Sequence, residues 1–205
     1  NKIIETEPGE FPPAGTALAK PLSEAQLAAL QVVSVAEMRE RLTTPDDLAW
    51  YSDSFLDSGL PSGGAQLALV IGYGITEHRF QAPRLTSPHG FSVSWLRAAP
   101  GLGMSAHRIE DTQVLIVRSG SVRVTLNVDA PVSTVLGPYD TLSVPVGAWR
   151  TIESIGIEDA DIIVITGNEG RSYIEWAPGV IADARKLDVA IDPNGYLAPA
   201  SLLND

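Results

Sequence analysis

The chain has 205 residues, 25 of them acidic against 14 basic for a formal charge of −11, with 44% hydrophobic residues and no cysteine. The missing thiols exclude disulfides, thiolate zinc sites, iron–sulfur clusters and cysteine nucleophiles, and the acidic balance argues against nucleic-acid binding and an anionic membrane surface. No apolar run approaches the ~18 residues that span a bilayer, and a metal site would have to use His78, His89 or His107 with carboxylates and amides.

Residues 1–22 are rich in Pro and Gly and read as an extended arm, suited to donating a strand. They lack a basic start followed by an apolar stretch, so they do not read as a secretory signal, and a cytoplasmic location is expected. Ser23 with Gln26 and Ser34 with Glu37 fit the capping-box pattern, in which hydroxyl and later side chain satisfy each other's backbone donors. Leu27, Leu30, Val35, Met38 and Leu42 give the two short helices an apolar face. Thr44-Pro45 marks another helix start, and residues 57–64 are loop by composition.

From residue 66 the character changes to short runs rich in Val, Ile and Leu between Gly, Pro and Asp turns: QLALVIGY, GFSVSWLRA, TQVLIVR, SVRVTLNV, VSTVL, DTLSVPV, WRTIES and ADIIVIT. Many short strands at this spacing predict an all-β sandwich or closed barrel. A helix is expected around Pro178–Leu187 and a turn at Pro193-Asn194-Gly195. The division expected is residues 1–65 as arm and short helices packing on the barrel, 66–170 as the barrel, and 171–205 as C-terminal helix and tail.

Two segments carry a resemblance. The first runs Gly101, five residues, His107-Arg108-Ile109, three residues, Gln113, six residues, Gly120; the second has Tyr139-Asp140, then Pro145-Val146-Gly147, Arg150 and Ser154. Their spacing resembles the two signature motifs of the cupin family, with residues 121–138 as the loop between, over roughly residues 90–168. The resemblance implies an all-β, cupin-type double-stranded β-helix (jelly-roll) barrel, here with a helical N-terminal extension and a C-terminal helix. It also implies four metal-ligand positions, of which only His107 keeps a ligand; the others hold Ile109, Gln113 and Arg150. Tyr139 stands where the family has Gly.

Parity supports this alignment without the family. His107, Ile109, Gln113, Leu115 and Val117 are all odd-numbered and share one face of their strands if no bulge intervenes before Gln113, leaving Arg108, Glu110 and Arg118 to solvent. An interior with one imidazole, one amide and one guanidinium suits a divalent metal poorly, because Arg adds a permanent cation. No cofactor is therefore predicted; a divalent metal, if bound, would use His107, with His78 or His89 folding in to rebuild a site.

Arg150 offers a planar donor fork for a carboxylate, enolate or phosphate. Gln113 donates and accepts, and His107 is expected to act as acid or base near neutral pH. Ile109 and Trp95 would line the pocket with Gln113 and Arg150; Trp149, next to Arg150, should face away. Purely structural roles compete: His107 and Gln113 as hydrogen-bonded core residues, Arg150 paired with Asp140, Glu110 or Asp111, and His78 and His89 on surface loops. Trp50, Trp95 and Trp176 read most simply as core or interface aromatics, and Glu153, Glu158 and Asp161 as a solvated acidic rim.

Three function classes follow. The leading one is a barrel that binds a small, anionic organic molecule, with metal-independent isomerase, cyclase or lyase chemistry by His107 and Arg150. The alternatives are a metal-dependent dioxygenase or isomerase with a rearranged ligand set, and a non-catalytic ligand-binding or dimerisation module. A homodimer is expected, with no nucleic-acid or membrane partner.

Overall fold

Ser23 and Ser34 do what their spacing predicts. In the computed structural model, which describes residues 23–30, 32–168 and 170–203, each hydroxyl accepts from the backbone N–H three residues on, and Gln26 and Glu37 return a bond to the serine N–H. They cap helices α1 (Glu24–Ala28) and α2 (Val35–Arg41). The expected arm at residues 1–22 lies outside the described residues. By contacts the chain forms two units, residues 1–44 and 45–205. Pro45 begins only a three-residue 3-10 turn rather than a helix.

Residues 45–205 are an all-β jelly roll with a C-terminal helix. The strands are β1 (Gln66–Ile71), β2 (Ser92–Ala98), β3 (Gly103–Ile109), β4 (Gln113–Ser119), β5 (Val122–Leu126), β6 (Val132–Leu136), β7 (Thr141–Val144), β8 (Arg150–Ser154), β9 (Ala160–Thr166), β10 (Ile174–Trp176), β11 (Val189–Ile191) and β12 (Leu197–Pro199). Helix α3 spans Pro178–Lys186, with Pro at its first position as expected. One sheet has the order β1-β2-β9-β4-β7, the other β10-β3-β8-β5-β6, and β11 pairs with β12 alone. From β2 to β9 every connection crosses between the two antiparallel sheets except the β5–β6 hairpin, which is the connectivity of a jelly roll. None of the described helices is long and apolar enough to cross a membrane.

The inward residues form one core that includes Leu96 of β2, Ile109 of β3, Leu115 and Val117 of β4, Val124 of β5, Ile152 of β8 and Val164 of β9. Strand β3 carries almost no apolar pattern in sequence, which is why it is absent from the apolar runs. It is held instead by ladders to β8 and β10.

At two positions of the motif segments the backbone itself favours glycine. Tyr139 adopts φ 71°, the left-handed conformation that favours Gly at this position; its N–H donates to Val117 O at 2.7 Å. Gly120 has φ +81°, and a Cβ there would stand 2.7 Å from the Cα of Ala160. Gly120→Ala should therefore destabilise the fold by about 2–5 kcal/mol, adding a left-handed penalty to a backbone clash, measurable by urea denaturation. A loss within ~0.5 kcal/mol would mean the turn relaxes freely.

Candidate functional site

One end of the barrel interior is polar, and backbone register alone places its residues. Across the first sheet, Gln113 of β4 stands between Val144 of β7 and Thr166 of β9, and Thr166 pairs with Ser92 of β2. Across the second, His107 of β3 stands between Arg150 of β8 and Trp176 of β10. The short 110–112 connection joins the two rows at the same end. Ser92, His107, Gln113, Arg150 and Thr166 are each at most 1% exposed. Gly74 closes in behind this end: a Cβ on it would lie 3.6 Å from Ser92 Oγ.

A bulge in β3 creates the inward turn of His107. Met104 pairs with Ile152 and His107 with Arg150, so three steps on β3 match two on β8. Beside the irregularity the Ser105 N–H donates to Asp57 Oδ2 at 2.6 Å, while Ser105 O faces His107 Nδ1 at 2.7 Å. Nδ1 opposite a carbonyl must carry the proton, which leaves the Nε2 lone pair pointing elsewhere. Burial, then the Arg150 charge, hold His107 down to about pKa 3, so the imidazole is neutral throughout the physiological range. The sequence-based expectation of an acid–base group poised near neutrality is corrected by these two causes.

Arg150 donates through Nη1 to Ala148 O at 3.0 Å, and its Nε and Nη2 have no protein partner. The carboxylates that could have neutralised it are engaged or exposed elsewhere: Asp140 accepts from Gly137 N, Asp111 from Asn168, and Glu110 lies on the surface. Burial lowers the guanidinium to about pKa 10, with no carboxylate opposing that shift. Both polar atoms of Gln113 and His107 Nε2 also lack partners. Five polar atoms on three buried side chains are thus unmatched, where native interiors pair nearly all such atoms. Ile109 is buried in the adjoining core.

Trp95 does not join this group. On β2 the inward residues are Ser92, Ser94, Leu96 and Ala98, so Trp95 faces outward, with the Arg118 guanidinium 5.5 Å from its ring centroid. Trp149 faces outward as parity requires, beneath Arg108. Asp161 is not on a solvated rim: it is 5% exposed and bonds Arg97 at 2.7 Å and Arg118 at 3.1 Å. His78 meets Tyr51 at a tilt and Phe80 edge-on, and exposed His89 meets Phe91 edge-on. A surface cavity of about 700 Å³, lined by Leu60, Ser105, Thr151, Glu153, Val180 and Asp183 among others, does not include His107, Gln113 or Arg150.

Two buried carboxyls behind His107 escaped the sequence reading. Glu77 accepts from Trp176 Nε1 and from Leu56 N–H, each at 2.7 Å, and Trp176 packs on the His107 ring with centroids 5.4 Å apart. Burial pushes Glu77 up to about pKa 8 against those two bonds, and pushes Asp57 upward too. Both lie in segments read as loop, and nothing local marks them as buried.

The donor set does not fit the metal that the resemblance implies. Ile109 supplies no donor, Gln113 no charge, and Arg150 a cation next to the single imidazole, against the imidazole-and-carboxylate shell of such ions. No group of three or more His, Asp or Glu able to hold a metal occurs among the described residues, so His78 and His89 do not rebuild one with His107 there.

No protein-family model matches the chain, and no curated protein does. Solved structures resemble it weakly. A recombinant oxalate oxidase in complex with glycolate is 20% identical over 42% of this chain and 46% of that one, with a TM-score of 0.40. Hazelnut (Corylus avellana) vicilin is 15% identical over 65% and 35%, TM-score 0.46. Drosophila melanogaster CENP-C bound to CAL1 is 15% identical over 62% and 81%, TM-score 0.43. The chain spans less than half of the oxalate oxidase chain it matches. Oxalate oxidase and vicilin are cupin-fold proteins; at these values the likeness speaks to no ligand or activity, and strand connectivity itself defines the jelly roll.

Proposed function

We propose that the barrel binds a small organic anion, held by Arg150 with His107 and Gln113, and does so without a metal. The observation that carries this reading is the buried guanidinium with two unmatched N–H-bearing nitrogens and no carboxylate partner. An unpaired interior charge is costly and calls for an anion. Binding is favoured over acid–base turnover because His107, held near pKa 3, is a weak base, and the one proton of the neutral ring, on Nδ1, is engaged by Ser105 O. A bound carboxylate would offset the Arg150 charge and so remove one of the two causes of that depression.

The test is a thermal-shift and calorimetric series with small monocarboxylates, run with and without EDTA. Saturating ligand at about a hundred times its Kd should stabilise the protein by about 2.7 kcal/mol, and EDTA should leave that gain unchanged. Elemental analysis of protein purified without chelator should show no stoichiometric divalent metal. One equivalent of metal, or a gain abolished by EDTA, would establish the metal-dependent alternative instead.

A further inference from the structure

The unmatched atoms of this site also narrow the chemistry of its ligand, an inference that rests on the anion-binding reading above. Arg150 uses Nη1 on Ala148 O, which fixes the plane of the guanidinium, and leaves Nε and Nη2 free. Those two nitrogens share one edge and direct parallel N–H bonds, the arrangement that receives both oxygens of one carboxylate. Among the described residues Arg150 is the only cation with a fully buried side chain at this end; Ser92, Gln113 and Thr166 are neutral. A second carboxylate on the ligand would be buried with no cation to meet it.

His107 makes the opposite demand. Its proton sits on Nδ1, facing Ser105 O, so Nε2 can only accept. It is the cross-strand neighbour of Arg150, and directly opposed residues hold their Cβ atoms roughly 4.5–5.5 Å apart. A ligand built only of acceptors would set lone pairs against the Nε2 lone pair and leave a buried acceptor unmatched. A ligand with one O–H next to its carboxylate would satisfy both residues. Gln113, with Nε2 and Oε1 both unmatched, can serve the same hydroxyl oxygen or the carboxylate.

We infer that the site takes a small hydroxymonocarboxylate, its carboxylate on the Nε/Nη2 edge of Arg150 and its hydroxyl, one or two carbons away, donating to His107 Nε2. Matched pairs of probes isolate the hydroxyl: lactate against pyruvate, and 3-hydroxybutyrate against acetoacetate, titrated calorimetrically into the wild type, His107→Phe and Arg150→Lys. In the wild type the hydroxy acid should bind at least about tenfold more tightly than its oxo partner, the discrimination expected when a buried polar group is left unpaired. His107→Phe keeps a ring but no acceptor and should bring the ratio within about twofold. Arg150→Lys, which keeps the charge and loses the fork, should weaken both members of a pair alike.

Should His107→Phe fail to fold, ¹⁵N NMR of the wild-type imidazole replaces it. The Nε2 resonance should move towards its hydrogen-bonded position with the hydroxy acid and stay with the oxo acid; no such difference overturns the inference. Equal affinity within both pairs overturns the hydroxyl requirement and leaves the anion site standing. Failure of all four acids to bind overturns the anion site itself.

Discussion

Arg150→Met should raise the melting temperature by roughly 3–10 °C while abolishing stabilisation by every carboxylate. The two effects have one cause. The guanidinium is 1% exposed and makes a single bond, to Ala148 O, so most of what it loses on leaving water is not returned in the free protein. Exchanging buried charge for well-packed apolar side chains stabilises by about 1–4 kcal/mol where it has been measured, and a domain of this size shifts about 2–4 °C per kcal/mol. Methionine has the length and flexibility to follow the aliphatic stem of Arg, and Leu126, its cross-strand neighbour on β5, offers an apolar surface. Below pH 6.5 relief of His107 adds to the gain, since the Arg150 charge is the second cause of its depressed pKa; at neutral pH the imidazole is uncharged in both states and adds nothing. A stability cost traded for a ligand is what separates a binding residue from a structural one. A melting temperature that falls by several degrees would mean that Arg150 braces the barrel, and the anion site would lose its basis.

The shared face of His107, Ile109 and Gln113 was legible from parity, because strand geometry converts residue numbers into faces whatever the residues are; Arg150 was placed by its position in the second motif of the resemblance. The same reasoning was less secure on β2. Ser92, Val93, Ser94 and Trp95 alternate polar and apolar, which by itself suggests that Val93 and Trp95 face the core. The reverse holds because this end of the interior is polar and accepts the serines, while Arg118 covers Trp95 outside. Asp161 was misread in the opposite sense: two arginines from neighbouring strands bury a carboxylate that the sequence shows only among other acids. Glu77 and Asp57 were invisible for a further reason. Their burial depends on Trp176 and Ser105, ninety-nine and forty-eight residues away, and no local pattern encodes such contacts. The capping serines succeeded because their chemistry is complete within four residues.

The buried ionisable groups make stability depend on pH with two opposed limbs. Glu77 has an ordinary value of 4.5 and is raised to about 8 in the fold, so between these values the folded state binds more protons than the unfolded one. Stability from this group is full below 4.5 and falls by about 1.4 kcal/mol per pH unit on the way to 8. His107 has an ordinary value of 6.5 and is lowered to about 3, so between 3 and 6.5 the unfolded state binds more protons and stability rises with pH at the same rate. The slopes cancel between about 4.5 and 6.5. Asp57, raised by burial, tilts that interval downward with pH and moves the optimum towards its acid side. Maximum stability is therefore expected in mildly acid solution, with a decline above pH 6.5 where His107 no longer compensates. Glu77→Gln keeps an acceptor for Trp176 or Leu56 and cannot ionise, so it should flatten the alkaline limb while leaving the acid limb in place. The measurement is urea unfolding of wild type and variant at half-unit steps from pH 4 to 8.5. A wild-type curve that rises through pH 6.5–8, or a variant whose alkaline limb matches the wild type, would show that Glu77 is ionised in its pocket and that the Trp176 and Leu56 bonds outweigh the loss of water.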